Sequence, residues 1–469
     1  MKLKYLTFDL LISAAAGDGA AAYQAKVIDS PHGQAAQFFT LPATITASTE
    51  KLSLVGGAIR TFQFGPATGS GPVQPLDPKI FGSELYRTIF RGEVGNLLRL
   101  SMAVAAQQDA GLRIRLRLDD APVLAVLPWE YLFDATANRY LVLSDASPVV
   151  RYLALPQPEA PLGIEGSLRI LVLTADAQDV LPRLNITQEQ ARLQQALAGL
   201  RQEQGVEITW LANGTLSELR QTLRRGSYHI FHFIGHGWFD EATRTNGLLF
   251  VDEQGKGEPV SSEILGLHLH NHRTLRLAFL NACEGARLVE GEPFNGVAQQ
   301  LVQQGLPAVI AMQFPVTDQA AIELSREFYT ALADDYPVDA ALAEARIAIF
   351  SQGSIMEWGT PVLFMRTADG RLWTHEEQAE ATLKQPSISL DGVQARDIVI
   401  GTVGTGAQNV AVGRGNSVRS STASASPQAP SASPPPTAAA HSGQPRFTRL
   451  LARAGNKVAT WWQRLIFRS

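Results

Sequence analysis

The sequence predicts an α/β protein: a mostly parallel sheet with helices on both faces. An α+β N-terminal region precedes it, and a small Gly-rich β segment, a linker and an amphipathic helix follow. Three observations predict this. Between about 167 and 373, apolar strand-like runs alternate with helical patterns. The run 168-LRILVLT-174 is almost wholly apolar, as a strand buried on both faces requires. The chain of 469 residues is 45% hydrophobic and 18% charged, a globular composition long enough for two or three domains.

Each element follows from a local pattern. The N-terminal 1-MKLKYLTFDLLIS-13 alternates as a strand does. Lys4 and Asp9 interrupt it, so it does not read as a signal peptide. In 113-RIRLRL-118 basic and apolar residues alternate, the mark of a half-buried strand. The stretch 121-APVLAVLPWEYLFD-134 is apolar with a proline break and then a short helix, and the Pro-rich 155-LPQPEAPLG-163 reads as a linker. After strand 168–174, a helix over 187–205 opens with a Thr-x-x-Gln capping box and closes at Gly205. Strand 206–210, helix 215–225 and strand 228–234 follow. A polar, glycine-containing excursion over 238–262 holds a hairpin near 247–260. Strand 275–281, a helix through 294–305, strand 307–312, helices 318–334 and 337–352 and strand 361–366 close the region. Right-handed crossovers place the carboxyl ends of the parallel strands on one edge, where such sheets bind ligands.

Beyond 387 the pattern changes. Short Val/Ile pairs punctuated by glycine in 396-RDIVIGTVGTGAQNVAVGRGN-416 read as a small β element. Residues 417–444 are a low-complexity Ser/Pro/Ala linker. In 445–469, Phe447, Leu450, Leu451, Ala454, Val458, Trp461 and Leu465 recur at three/four spacing. Arg446, Arg449, Arg453, Lys457, Arg464 and Arg468 fall mainly on the opposite side. This pattern predicts a basic amphipathic helix that lies on an anionic membrane surface or docks on a protein. The sequence thus divides into 1–157, 158–375, 387–416, 417–444 and 445–469.

Composition excludes several classes. The net charge of -4 argues against a nucleic-acid binder. A single cysteine rules out an intrachain disulfide framework and fits a reducing, cytoplasmic home, with the basic tail allowing peripheral association at the inner face of a membrane. No run of about 18 uncharged apolar residues predicts a spanning helix. Neither a Gly-x-x-x-x-Gly-Lys-Ser/Thr loop nor a strand-following Gly-x-Gly-x-x-Gly occurs, so no nucleotide cofactor is expected. His268, His270 and His272 alternate in 268-HLHNH-272, but no second ligand cluster accompanies them; a solvated loop, and no metal, is the expectation.

Two stretches carry chemistry. One is 229-HIFHFIGHG-237, and the other is 277-LAFLNACEG-285 with the lone cysteine, Cys283. In strand 228–234, His229 and His232 lie on opposite faces among aromatics and read as partnered packing residues. His236, between Gly235 and Gly237, is expected just past the strand's end, projecting from the carboxyl edge. Cys283 has the same topological address. If the two strands are neighbours, the imidazole reaches the thiol and takes its proton, which matters because only the thiolate is a strong nucleophile. The backbone N–H groups of Cys283 and Gly237 then offer an oxyanion hole. The plain alternative stands beside this: a buried cysteine is most often a small hydrophobe, and both strands are then simply core.

Residues 167–373 resemble a CHAT domain, a bacterial caspase-like module. The resemblance is carried by HFIGHG (232–237), LNACEG (280–285), the run QGLPAVIAM (304–312), QFPVTDQAA (313–321) and PVDAALAEAR (337–346). Upstream, ELYRTIFRGEVGNLLR (84–99), LPWEYLFD (127–134) and PVVRYL (148–153) resemble what commonly leads such domains. The resemblance implies a cysteine endopeptidase acting on protein or peptide substrates, with His236 as general base and Cys283 as nucleophile, latent until an activating partner or signal arrives. The excursion 238–262 is then a regulatory or cleavable loop. Relatives often cut after a basic residue; Asp176, Asp179, Glu284 and Asp318 are the candidate pocket acids. The TPR repeats that usually accompany the domain are absent. A catalytically silent scaffold that recruits partners at a membrane is the alternative.

Overall fold

The computed structural model describes residues 3–15, 22–45, 77–156, 159–180, 205–240, 242–282, 293–314, 316–375, 398–402 and 408–412, with short pieces of 190–198. Residues 1–387 form one compact unit and 388–469 a second. In the second, β18 (Ile398–Thr402) and β19 (Gln408–Val412) pair antiparallel, so the glycine-punctuated segment does contain a β element. The low-complexity linker, the 446–469 helix and most of the 187–205 helix lie outside the described residues.

The first unit is built on one thirteen-stranded sheet. Its strands are β1 (Tyr5–Ala14), β2 (Ala22–Asp29), β3 (Ala35–Thr40), β4 (Gly111–Arg117), β7 (Val149–Tyr152), β9 (Leu168–Thr174), β10 (Val206–Leu211), β11 (Ile230–Asp240), β12 (Thr245–Val251), β13 (Gly257–Ser261), β14 (Leu277–Ala282), β15 (Ala308–Met312) and β16 (Pro361–Met365). A two-residue ladder, β5 (Phe133–Asp134) with β6 (Arg139–Tyr140), and the pair β8 (Leu162–Ile164) with β17 (Trp373–His375) stand outside it. The main path runs β10-β9-β11-β14-β15-β16-β7-β4-β1-β2-β3, with β12 and β13 branching from β11. From β10 to β15 every pairing is parallel. The antiparallel β15–β16 step then joins this half to β7, β4 and β1. The sheet therefore passes unbroken between residues on either side of 155–163. That proline-rich stretch leads directly into β8, and its Glu159 pairs with Arg276.

Seven helices of nine residues or more cover the sheet among the described residues, at 78–89, 92–107, 216–225, 262–270, 293–303, 318–333 and 338–351. Their starts are written in the sequence. Asp77 accepts from the amides of Lys79 and Ile80 ahead of Pro78, which needs no hydrogen-bond partner at a first helical position. Thr215 caps Glu218, while the Glu218 carboxylate takes the amides of Ala212 and Asn213. Thr317 caps the helix that Asp318 opens.

The alternating strand 113–118 is half-buried as expected at Arg115 and Arg117, but its arginine face is fully covered at Arg113. Arg113 is 2% exposed and pairs with Asp339 of helix 338–351 at 2.5 Å. Arg115 and Arg117 stack on the Tyr152 ring. Nearby, Arg151, Glu130 and Gln313 form a second buried polar network, with Arg151 donating to both carboxylate oxygens and Gln313 donating to one of them. Burying charge is tolerable only with partners of this kind.

Candidate active site

Strand β11 positions the site. Its first half is fully buried between β9 and β14, and its aromatic and aliphatic side chains fill both faces. His232, fully buried, stacks on Phe279 with ring centroids 4.8 Å apart, and its Nδ1 meets the Tyr329 hydroxyl at 2.6 Å. Burial pushes its pKa down to about 3, so it stays neutral. His229 Nδ1 accepts from the Arg169 amide at 3.0 Å. Both are the packing residues that their aromatic surroundings implied.

His236 is not past the end of the strand. β11 runs on to Asp240 because the residues after Gly235 leave the parallel sheet and pair antiparallel with β12, His236 opposite Leu249 and Gly237 opposite Leu248. The flanking glycines make no turn, and neither has a positive φ. Gly235 has a different reason: a Cβ there would lie 2.6 Å from Phe233 Cζ and 3.3 Å from Ala175 Cβ. His236 thus sits where β11 changes partners, 3% exposed. Burial lowers its pKa and Asp176 opposes that shift. Its Nε2 is shielded from solvent and has no hydrogen-bond partner among the described residues.

The two chemistry-bearing strands are neighbours. β11 and β14 pair in parallel, with Ile234 opposite Asn281 and Gly235 opposite Ala282. His236 and Cys283 are each the next residue in their chains. Cys283 and Glu284 themselves lie outside the described residues, as does the side chain of Asp318.

The remaining acids are placed differently from one another. Asp179 Oδ1 accepts the Gly257 amide at 2.8 Å and so caps the β12–β13 hairpin. Asp176, one turn of loop earlier, stands beside His236, with Oδ1 shielded and without a hydrogen-bond partner among the described residues. It lies on the wall of a groove of about 1330 Å³ bounded by the ends of β9 and β10, helix 216–225 and the hairpin tip. The groove also carries Asp252, Glu253 and Glu258, which the sequence reading did not single out. They lie within the hairpin expected near 247–260, and only its pairing brings them to this edge. The excursion 238–262 accordingly takes in the end of β11, the paired strands β12 and β13 and the first residue of a helix. His268 and His270 belong to that helix, Ser262–His270, rather than to a loop, and His272 Nε2 accepts the Tyr228 amide at 2.9 Å. Among the described residues no group of three or more His, Cys, Asp or Glu is placed to hold a metal.

With this geometry in view, comparison with known families is decisive. The family model described as CHAT domain matches residues 79–379. The chain belongs to the CHAT family. The matched region of this CHAT protein starts well before β9, within helix 78–89, so it takes in β7 and β4, the first two strands that extend the sheet beyond β16, but not β1, β2 or β3. Among solved structures the CHAT protein is similar to the Saccharomyces cerevisiae separase–securin complex, at 13% identity and a TM-score of 0.31. That match covers 70% of this chain and 22% of the other, so the CHAT protein spans about a fifth of its length. No curated protein matches the sequence. Among the described residues of the CHAT protein, no helix is long and apolar enough to cross a membrane.

Proposed function

We propose that the protein is a cysteine endopeptidase in which His236 is the general base and Cys283 the nucleophile. One observation carries the reading: Gly235 is paired with Ala282, and the residue that follows each in the sequence is the histidine or the cysteine. A histidine whose pKa is lowered by burial is neutral at physiological pH and ready to accept a proton. In the reaction the Cys283 thiol passes its proton to the imidazole. The thiolate then adds to the scissile carbonyl, and the imidazolium returns the proton to the departing amine. The amides of Gly237 and Cys283 are the donors for the oxyanion.

The groove that Asp176 lines supports a basic side chain in the substrate, because Glu253 and Glu258 are exposed on its hairpin wall, with Arg220 and Arg225 on the helix wall. Latency, an activating protein partner and docking of segment 446–469 on an anionic membrane or a protein belong to the same proposal. They rest on the family and on the basic, amphipathic pattern of the tail.

The test is a fluorogenic panel with Arg, Lys or Asp before the reporter, applied to wild type, Cys283→Ala and His236→Ala, with intact mass to follow self-cleavage. Cleavage by wild type that both variants lose by roughly 10³-fold or more is expected. Undiminished cleavage in Cys283→Ala sinks the proposal. Activity toward Asp reporters alone removes the basic preference.

A further inference from the structure

We infer that Asp176 is the positioning residue of the base: its carboxylate holds the His236 imidazole on the working face of the sheet and stabilises the imidazolium formed there. The inference rests on the reading of His236 as general base.

Register comes first. β9 and β11 pair in parallel with Thr174 opposite Ile234, and the ladder extends one bond further, Ala175 N–H donating to Ile234 O at 2.9 Å. Counting on from there sets Asp176 beside His236. Both lie two residues past the end of the β9–β11 ladder at Thr174 and Ile234, and the Asp176 charge acts on the His236 ring.

The loop that carries Asp176 is fixed from its far side as well. The Gln178 amide donates to Gly255 O at 2.8 Å, and Asp179 Oδ1 accepts the Gly257 amide. The hairpin that extends β11 past His236 therefore also anchors the segment following β9. Asp176 is held between these two attachments.

The chemistry completes the argument. Asp176 Oδ1 and His236 Nε2 are both shielded from solvent, and neither has a hydrogen-bond partner among the described residues. Leaving either unpaired is costly, and each is the complement the other lacks. Asp176 is also the one charge that acts on His236 among the described residues, and it acts to favour the protonated ring. When the imidazole takes a proton at one nitrogen, the carboxylate accepts the N–H of the other. Ring orientation is thereby fixed and the cation compensated. Substrate charge is left to Glu253 and Glu258, which face open groove.

The experiment uses the full chain with ¹³C-labelled histidine. The ring C–H signal of His236 is identified by its loss in His236→Gln and titrated in wild type, Asp176→Asn, Asp176→Ala and Asp179→Asn. The midpoint moves to lower pH in both Asp176 variants and stays at the wild-type value in Asp179→Asn. An unmoved midpoint in the Asp176 variants, or an equal movement in Asp179→Asn, overturns the inference. In the peptide assay Asp176→Asn loses roughly 10²-fold or more in kcat with KM little changed. A raised KM for basic reporters with kcat and the titration intact assigns Asp176 to the substrate pocket instead. Because the titration needs no turnover, an active Cys283→Ala would defeat the peptidase reading while the Asp176–His236 pair is still judged on its own.

Discussion

Replacing Asp339 with alanine tests whether the two halves of the long sheet form one cooperative body. Asp339 lies on helix 338–351, and its partner Arg113 lies on β4, on the far side of the antiparallel β15–β16 step. Both side chains are buried, at 2% and 0% exposure. The guanidinium also donates to Asp369 O at 2.8 Å and sits over the Tyr5 ring at 4.6 Å. Asp339→Ala leaves that cation buried and short of its counter-charge, a change that costs about 3–5 kcal/mol. The surviving carbonyl and ring contacts hold the loss toward the lower figure. A unit spanning Met1–Ser387 has an unfolding entropy of about 0.8 kcal/mol/K, so the melting temperature should fall by about 4–5 °C. Circular dichroism melts of wild type, Asp339→Ala and the double variant Arg113→Met/Asp339→Leu form the assay. The double variant, which has no unpaired charge, should recover most of the loss. A single variant melting within about 1 °C of wild type, or a double variant less stable than the single, refutes the reasoning.

Other consequences follow from the site. His232 has a folded-state pKa of about 3, against about 6.5 in an unfolded chain. The unfolded state alone binds this proton between those values. His232 therefore leaves stability intact above about pH 6.5 and removes about 1.4 kcal/mol for each pH unit below it, down to about pH 3. Urea midpoints at pH 7 and 5 should show a shallower acid loss in His232→Phe, and an identical loss in both proteins would contradict the assignment. Gly235→Ala puts a Cβ 2.6 Å from Phe233 Cζ, and that ring is fully buried against Phe250. A cost of about 1–3 kcal/mol and a more than roughly tenfold fall in peptidase rate are expected, since the strand must shift at the residue before His236. Wild-type urea stability and rate in Gly235→Ala would remove the packing argument for that glycine.

Much of the architecture was legible because its signals are local. A buried parallel strand must be continuously apolar, so 168–174 and 307–312 declared themselves, and β9 and β15 lie there. Helix starts were equally clear where a Thr or Asp could cap. That 229–237 and 277–285 fall on strands was also readable from their apolar runs, and the β11–β14 pairing makes those strands neighbours. The local pattern misled where a tertiary partner overrode it. The sequence ended β11 at Ile234 because Gly-His-Gly looks like a turn. Pairing with β12 keeps the chain extended to Asp240. The 268-HLHNH-272 stretch alternates like a loop or strand, yet helical backbone bonds and the Leu265 and Leu269 contacts with the core make most of it helix.

By itself, then, the sequence determined the fold class, most of the strands and helices described between 168 and 365, though not the helix at 262–270, and the candidate residues His236 and Cys283, since these depend on periodicity and on side-chain chemistry. Tertiary structure alone decided which residues stand side by side. Register between strands separated by some sixty residues is set by the packing of their buried faces, and no local pattern encodes it. Tertiary packing sets Ala282 against Gly235, brings the Asp176 charge to bear on His236, gives Asp179 to the hairpin backbone, and gathers Asp176, Glu253 and Glu258 on one groove.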